Sequence, residues 1–443
     1  VNVLPSGWKS AYIKDICQLI NGRAFKPSEW SNDGFPIVRI QNLNNPNAPF
    51  NYCNFGVEDK YYIETGNLLF AWSGTPGTSF GAHIWNKGKS VLNQHIFKVI
   101  INEKSLNKRY IQLAFNNELN DYIKKAHGTA GLAHITKLKF ENSSILIPPL
   151  SEQHRIVARI EELFTKLDAG VEALQKAKAL LKQYRQSVLK AAVEGKLTEE
   201  WRKENGKRIE PASVLLERIQ AERKERLGKN YKPPKPIDTN SLPELPNGWA
   251  WTPLINVAML HRGYDLPVQK RIDGPYPIIA SSSIVGYHKE KMITGPGVIT
   301  GRSGTIGQVI YIDSDYWPLN TTLYVCDFNG NSPRFIYYLL KSIKLQRYLA
   351  GTGVPTLNRN IIHPTPVSLP PVSEQVVIAN ILDNYFSIID ESEKTVDAEL
   401  KRSQSLRQSI LKRAFEGKLV PQDPNDEPTS VLLERVRKEE NKD

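Results

Sequence analysis

Two stretches of this chain carry apolar residues at a period of about 3.5 residues, the seam of a coiled coil. In the first, between Ile147 and Leu197, apolar or small residues fall in a 4-3-4-3 spacing. They are Ile156, Ile160, Leu163, Leu167, Gly170, Leu174, Ala177, Leu181, Tyr184, Val188 and Ala191. The stretch opens Ile147-Pro148-Pro149-Leu150-Ser151-Glu152-Gln153 and closes Val188-Leu189-Lys190-Ala191-Ala192-Val193-Glu194-Gly195-Lys196-Leu197. Between lie about 45 residues without proline, far beyond an ordinary globular helix. The pattern predicts one helix about 65 Å long, with Ser151 and Glu152 capping its start and Gly195 stopping it.

The stretch recurs. Leu369-Pro370-Pro371-Val372-Ser373-Glu374-Gln375 opens a second copy, and Ile410-Leu411-Lys412-Arg413-Ala414-Phe415-Glu416-Gly417-Lys418-Leu419 closes it without a gap. The second seam is weaker, with Ser392, Glu399 and Ser403 at seam positions. Two long helices, each with an exposed apolar seam, are expected to pack on each other; the alternative is two unrelated bundle helices. A third repeated piece follows each helix: Glu210-Pro211-Ala212-Ser213-Val214-Leu215-Leu216-Glu217-Arg218 matches Glu427-Pro428-Thr429-Ser430-Val431-Leu432-Leu433-Glu434-Arg435. Ser213 or Ser430 is expected to cap a short helix.

The blocks ahead of the long helices repeat too. Leu4-Pro5-Ser6-Gly7-Trp8 and Leu245-Pro246-Asn247-Gly248-Trp249 open them, with Trp8 and Trp249 as expected core anchors. Short apolar runs bounded by turn residues predict strands at 36–40, 67–72 and 96–100, and at 277–280, 297–300 and 323–326. Arg109 to Lys125 and Pro333 to Leu349 read as helices. Pro233, Pro234, Pro236 and Pro243 predict a stiff linker. The domain reading is 1–147 for a first mixed block, 148–230 for a helical region, 231–244 for the linker, 245–369 for a second block and 370–443 for a second helical region. The fold class is α+β: two mixed α/β blocks separated by two long antiparallel coiled-coil helices, in a pseudo-twofold internal repeat.

A formal net charge of +12 favours a polyanionic partner. Residues 1–150 carry about +6 and 245–372 about +5, whereas 373–443 carry about −4. Cys17, Cys53 and Cys326 form no disulfide framework or metal-ligand spacing. The absence of a signal-like start or of a run near 20 apolar residues predicts a soluble, cytoplasmic protein without a membrane partner.

No catalytic or metal constellation emerges. Gly88-Lys89-Ser90 resembles the end of a phosphate loop, but His83 stands where a glycine is required. The three Pro-Pro pairs lack the polar and aromatic neighbours of amino-methyltransferases. Binding residues are more evident. Arg39, Gln41, Asn42 and Asn44 are expected at a strand end, where such side chains make bidentate contacts to base edges. Trp72, Ser73 and Thr75 form a glycine-bearing loop echoed by Arg302, Ser303 and Thr305. His95 of Asn93-Gln94-His95 stands where Thr321 and Thr322 stand in the second block. Thr129 and Thr352 sit in glycine-flanked loops suited to phosphate. Ser281, Ser282 and Ser283 occupy the place of the Arg39 segment, and Asn358 and Arg359 follow the Thr352 loop. Each loop alone reads as a turn. Their repetition in order, with different side chains, suggests one scaffold reading two targets.

The doubled Pro-Pro-Leu/Val-Ser-Glu-Gln opening and Arg-Gln-Ser-Val/Ile-Leu-Lys…Glu-Gly-Lys-Leu closing (Arg185 to Leu197, Arg407 to Leu419), alternating with variable blocks, resemble the specificity subunits of type I restriction-modification systems. The resemblance covers nearly the whole chain. It implies that each block is a target-recognition domain reading half of a bipartite double-stranded DNA site. The helical pair would set the spacing and dock two methyltransferase subunits. The implied docking residues are Glu152, Gln153, Arg185, Gln186, Glu194 and Lys196, with Glu374, Gln375, Arg407, Gln408, Glu416 and Lys418 in the second copy. The chain itself would be non-catalytic and hold no cofactor. S-adenosylmethionine, ATP and Mg are expected on the partner methyltransferase and restriction subunits. Pro421-Gln422 departs from the Glu199-Glu200-Trp201 pattern, which makes the docking surface asymmetric. Two other readings stay open: a fused DNA methyltransferase or nuclease with its own recognition domain, and a coiled-coil scaffold that does not bind DNA.

Overall fold

Leu68-Leu69-Phe70-Ala71 reads as an unbroken apolar run because its strand is buried on both faces. Leu68 and Phe70 enter the main core of the first block, and Leu69 and Ala71 enter a smaller core behind the sheet. Residues on a strand alternate sides. Val298 and Ile299 divide in the same way in the second block. In the computed structural model, which describes residues 4–45, 47–75, 78–125, 133–350 and 356–440, this strand is central to a four-stranded antiparallel sheet. Its order is Cys17–Asn21, Ile96–Ile101, Leu68–Ala71, Gly81–Ile84. The second block repeats it as Met259–Arg262, Thr322–Asp327, Gly297–Gly301, Val309–Ile312. A smaller sheet lies beside each. Phe35–Val38 runs parallel to Ser90–Leu92 in the first, and Tyr276–Ile279 parallel to Trp317–Pro318 in the second.

One helix covers each main sheet. Lys108–Asn117 is capped by the Asn107 side chain and Pro333–Ser342 by that of Ser332. Both are shorter than expected. The first breaks before Leu119–Lys125, and the second gives way to a 3-10 turn at Leu345–Tyr348. Phe140 stacks on Phe70 with ring centroids 3.9 Å apart, and Phe115 and Tyr122 meet Phe70 edge-on.

The long helices span Leu150–Val193 and Val372–Phe415, 44 residues each. Both end on a glycine in the left-handed region, Gly195 at φ 72° and Gly417 at φ 66°. Ser151 lies inside its helix rather than capping it, because the Pro149 carbonyl already accepts from Gln153 N–H. Ser213 and Ser430 are likewise internal to Ala212–Leu227 and Thr429–Glu440.

The chain divides into two compact units, Val1–Ala173 with Glu399–Asp443, and Leu174–Ala398. Each holds an antiparallel half of the helix pair. In the first, Arg407 pairs with Asp168 and lies over the Phe164 ring at 4.2 Å. In the second, Lys178 meets Asp397 at 2.6 Å and Arg185 pairs with Asp390; seven residues forward on one helix is seven back on the other. On the first helix the seam is buried at Ile156, Ile160 and Val188, which belong to the block cores. Leu163, Leu167, Leu174 and Leu181 are half-buried, and Gly170 and Tyr184 are exposed.

The compact units differ from the sequence repeat in one respect. The order block, long helix, short helix occurs twice along the chain. Yet the short helix that completes each block comes from the other copy. Thr429 N–H donates to Gly7 O at 3.1 Å in the first unit, and Ala212 N–H to Gly248 O at 2.8 Å in the second. Antiparallel pairing delivers each tail to the opposite block.

Candidate nucleic-acid interface

In the first unit four chain segments are tied together at one edge of the sheets. Asn93 N–H donates to Val38 O (3.1 Å), Trp72 N–H to His95 O (3.3 Å) and Ile135 N–H to Trp72 O (3.0 Å). Ala133–His134 pairs with Ser73–Gly74. Gly74 is required there: a Cβ would lie 2.4 Å from the Ser79 hydroxyl oxygen that accepts from Thr75 N–H. The Trp72 indole is flanked edge-on by His134 (4.6 Å between centroids) and His95 (5.2 Å), and stacks on Phe97. Burial, with His134 and Arg39 nearby, holds the His95 pKa below its ordinary value. Arg39 stacks on Trp30 at 5.0 Å and donates to Asn51 Oδ1 at 3.0 Å. Among the described residues, Trp72 Nε1 and His95 Nδ1 are buried without a hydrogen-bond partner.

The Arg39–Asn44 segment departs from expectation. It is a short helix, Ile40–Asn44, with Arg39 at its N-cap, instead of the end of a strand. Asn42 is buried: its Oδ1 accepts from Arg39 N–H (3.0 Å) and its Nδ2 donates to Ala48 O (3.4 Å) and Pro49 O (3.2 Å). It closes a turn and presents no edge to a base. Ser73 is buried in strand pairing. Gln41, Asn44 and Thr75 remain exposed.

The second unit builds the same edge with different side chains. Arg302 N–H donates to Thr321 O (2.8 Å) and Leu357 N–H to Arg302 O (2.8 Å). Ser303 bridges Thr356. Ser281 Oγ donates to Ser303 O (2.5 Å) and Thr321 O (3.1 Å), and the buried Thr322 Oγ1 donates to Leu319 O (2.7 Å). Ser281 and Thr322 therefore hold loops together and are corrected from base contacts to supports. Asn358 Oδ1 accepts from Asn360 N–H at the start of a short helix, so it acts as a cap. Arg302, Ser303 and Arg359 are half-buried, Ser282 partly exposed, and Ser283 and Thr305 exposed. Thr129 and Thr352 lie outside the described residues. His134 and Thr356 were not singled out from the sequence; no spacing marks them, and only strand pairing brings them here.

The expected docking motif is largely internal. Glu152 Oε2 accepts from Trp8 Nε1 (3.0 Å), and Glu374 Oε2 from Trp249 Nε1 (2.9 Å), which ties each tryptophan anchor to a long helix. Gln153 Oε1 accepts from Asn107 N–H (2.8 Å), and Gln375 Oε1 from Ser332 N–H (2.9 Å), which clamps the covering helices. All four are buried, so they build the fold and are corrected from docking contacts. Arg185 and Arg407 are engaged across the helix pair. Glu194 pairs with Lys196 (2.7 Å) and Glu416 with Lys418 (2.8 Å). Gln186, Gln408, Lys196 and Lys418 are exposed. Among the described residues no acidic, histidine or cysteine cluster could hold a metal, and no helix is long and apolar enough to cross a membrane.

The family model for the type I restriction modification DNA specificity domain matches residues 5–178 and again 246–402. The type I restriction enzyme EcoBI specificity subunit of Escherichia coli is 25% identical over 455 residues, covering 98% of this chain and 93% of that protein. The EcoDI specificity subunit of Escherichia coli is 24% identical, covering 98% and 96%. The StySPI specificity subunit of Salmonella potsdam is 25% identical with the same coverage. Among solved structures, a chain from work on complex assembly and conformational transition of the type I R-M system superposes with a TM-score of 0.69 at 16% identity, covering 94% of this chain and all of that one. The HsdS subunit from Thermoanaerobacter tengcongensis gives 0.50 at 18% identity, covering 94% and 98%. With two matched segments spanning most of its length, the chain belongs to the type I restriction-modification DNA specificity family and carries two recognition domains.

Proposed function

We propose that each recognition domain reads one half of a bipartite duplex DNA site through the sheet edge described above. The observation that carries this reading is the repeated edge: the same main-sheet strand order and matching backbone bonds, with an indole and imidazoles in one copy and hydroxyls and a guanidinium in the other. A shared scaffold positions, and differing side chains select. Phosphate contacts supply affinity without sequence information, whereas hydrogen bonds to base edges discriminate. The basic excess of both blocks suits the first role. Binding by that route weakens steeply with added salt.

In this reading the antiparallel helices set the gap between half-sites. Exposed polar positions near their ends, Gln186, Lys196, Gln408 and Lys418, contact methyltransferase subunits. Those partners, with S-adenosylmethionine, would methylate adenine, and restriction subunits with ATP and Mg would cut. The chain itself supplies recognition and no chemistry. The test is purification with and without methyltransferase subunits, followed by methyl transfer to random duplex. Activity is expected only in the assembly; transfer by the lone chain would refute the reading.

A further inference from the structure

The two domains share a three-residue node that backbone geometry makes strictly equivalent. In the first, Trp72 N–H donates to His95 O, Ile135 N–H donates to Trp72 O, and His134 pairs with Ser73. In the second, Arg302 N–H donates to Thr321 O, Leu357 N–H donates to Arg302 O, and Thr356 pairs with Ser303. Trp72, His95 and His134 therefore occupy the places of Arg302, Thr321 and Thr356. All three side chains differ in chemistry while the two backbone bonds beneath them are kept. A second observation is independent of the first. Among the described residues, His95 Nδ1 and Thr321 Oγ1, at the same node position, are each buried without a partner, and so is Trp72 Nε1. An unpaired buried polar group is costly enough that folded proteins rarely keep one without a use.

We propose that this node selects one base pair in each half-site, and that the first-domain node takes the guanine edge. The inference rests on the reading that these edges contact DNA. An indole nitrogen and a guanidinium only donate hydrogen bonds. Gln94 Nε2 lies 3.2 Å from His95 Nε2; with the amide as donor, the ring proton sits on Nδ1, the unpartnered atom. Among the described residues, Trp72 Nε1 and His95 Nδ1 are then two donors lacking acceptors, with Arg39 and His134 as the charged or titratable groups acting on His95. Guanine presents two acceptors, N7 and O6, in the major groove. Adenine adds a donor, cytosine offers only a donor, and thymine offers one acceptor beside a methyl group. Both nitrogens are covered in the free protein, so contact requires the side chains to turn outward as the base arrives. The second node keeps a donor-only group, Arg302, but replaces both rings with hydroxyls that donate or accept, so its selection differs.

The test uses the assembly with its methyltransferase subunits, a library of randomised half-sites, and sequencing of modified adenines. Wild type is expected to show a guanine at one position of the first half-site. Trp72→Phe removes one donor and keeps a ring; discrimination at that position is expected to fall about tenfold, with the second half-site unchanged. The transplant W72R/H95T/H134T is expected to bring the preference of the second domain to that position. In the second domain, Thr321→Val is expected to relax one position of the second half-site only. The proposal is overturned if these variants keep the wild-type motif, or if they weaken every position equally. A wild-type assembly that modifies DNA with no sequence preference would overturn the half-site reading itself, and this inference with it.

Discussion

Glu374 and Glu152 occupy equivalent places but live in opposite environments, and one substitution made at both positions separates them. Glu374 Oε1 accepts from Thr198 Oγ1 at 2.6 Å and Arg202 Nε at 3.2 Å, while Oε2 accepts from Trp249. Among the described residues Glu152 accepts only from Trp8, and its Oε1 is buried without a partner. The cause lies in the tails. After Gly195 come Thr198 and Arg202, whereas Val420 and Pro424 stand at the same steps after Gly417. Arg155, whose charge also acts on Glu152, is committed to Asp426 at 2.6 Å. Burial raises the Glu152 pKa, opposed by Trp8 and Arg155. Glu374→Gln removes the charge facing the part-buried Arg202; breaking a fully buried pair costs about 3–5 kcal/mol, and the partial exposure of Arg202 and the acceptor the amide keeps leave about 2–4 kcal/mol. Glu152→Gln removes a desolvated charge that has no cation of its own, so its cost is expected within about 1 kcal/mol of zero. With the folded-state pKa of Glu152 above its unfolded value, the first unit binds the extra proton when folded. The ionisation penalty is then fully present above the raised pKa and is relieved as pH falls through it. Glu152→Gln should abolish that dependence. Because two units need not unfold together, amide hydrogen exchange at residues 153–160 and 375–382 is the assay. Equal losses in the two variants would refute the reasoning.

His363 accepts from Leu260 N–H through Nε2, and burial lowers its pKa to about 4. Its stabilising neutral form is fully effective above the unfolded value of about 6.5 and is lost on acidification towards 4, about 3 kcal/mol in total. Exchange in the second unit should loosen across that window in wild type and not in His363→Gln. Asn42→Ala should destabilise the first unit by about 1–3 kcal/mol, since it strips partners from a closed turn. Gln41→Ala, on the exposed side of the same helix, should leave urea unfolding unchanged and relax one position of the first half-site. Seven residues added between Asp168 and Lys178 and seven between Asp397 and Arg407 keep the heptad in register. They lengthen each helix by about 10 Å and should widen the spacer by about one to three base pairs at roughly 3.4 Å each; mapping of modified sites would reveal an unchanged spacer, which would sink the ruler.

The long helices were legible because a 3.5-residue period and a closing glycine are local signals. So were the strands at 68–71 and 297–301, whose both-sided burial leaves an apolar run. The Glu-Gln motif was legible as a repeat but misread as a surface: its partners, Trp8 and Asn107 or Trp249 and Ser332, lie far away in sequence, and only packing joins them. The Asn42 turn escaped because an Arg-x-Gln-Asn string after a strand suits a base contact as well as a capped helical turn. His134 and Thr356 carried no signal, since strand pairing alone brings them beside Trp72 and Arg302. The tails were assigned to their own copies because sequence order conceals the exchange that antiparallel helices impose.

The central claim is two independent readers on one chain. Modified adenines should be mapped across the genome of a host carrying the wild-type assembly, and again with Gln41→Ala and with Thr305→Ala. The account predicts a two-part motif with an unspecified gap, in which Gln41→Ala alters only one part and Thr305→Ala only the other. A continuous motif, or one in which either substitution degrades both parts together, would contradict it.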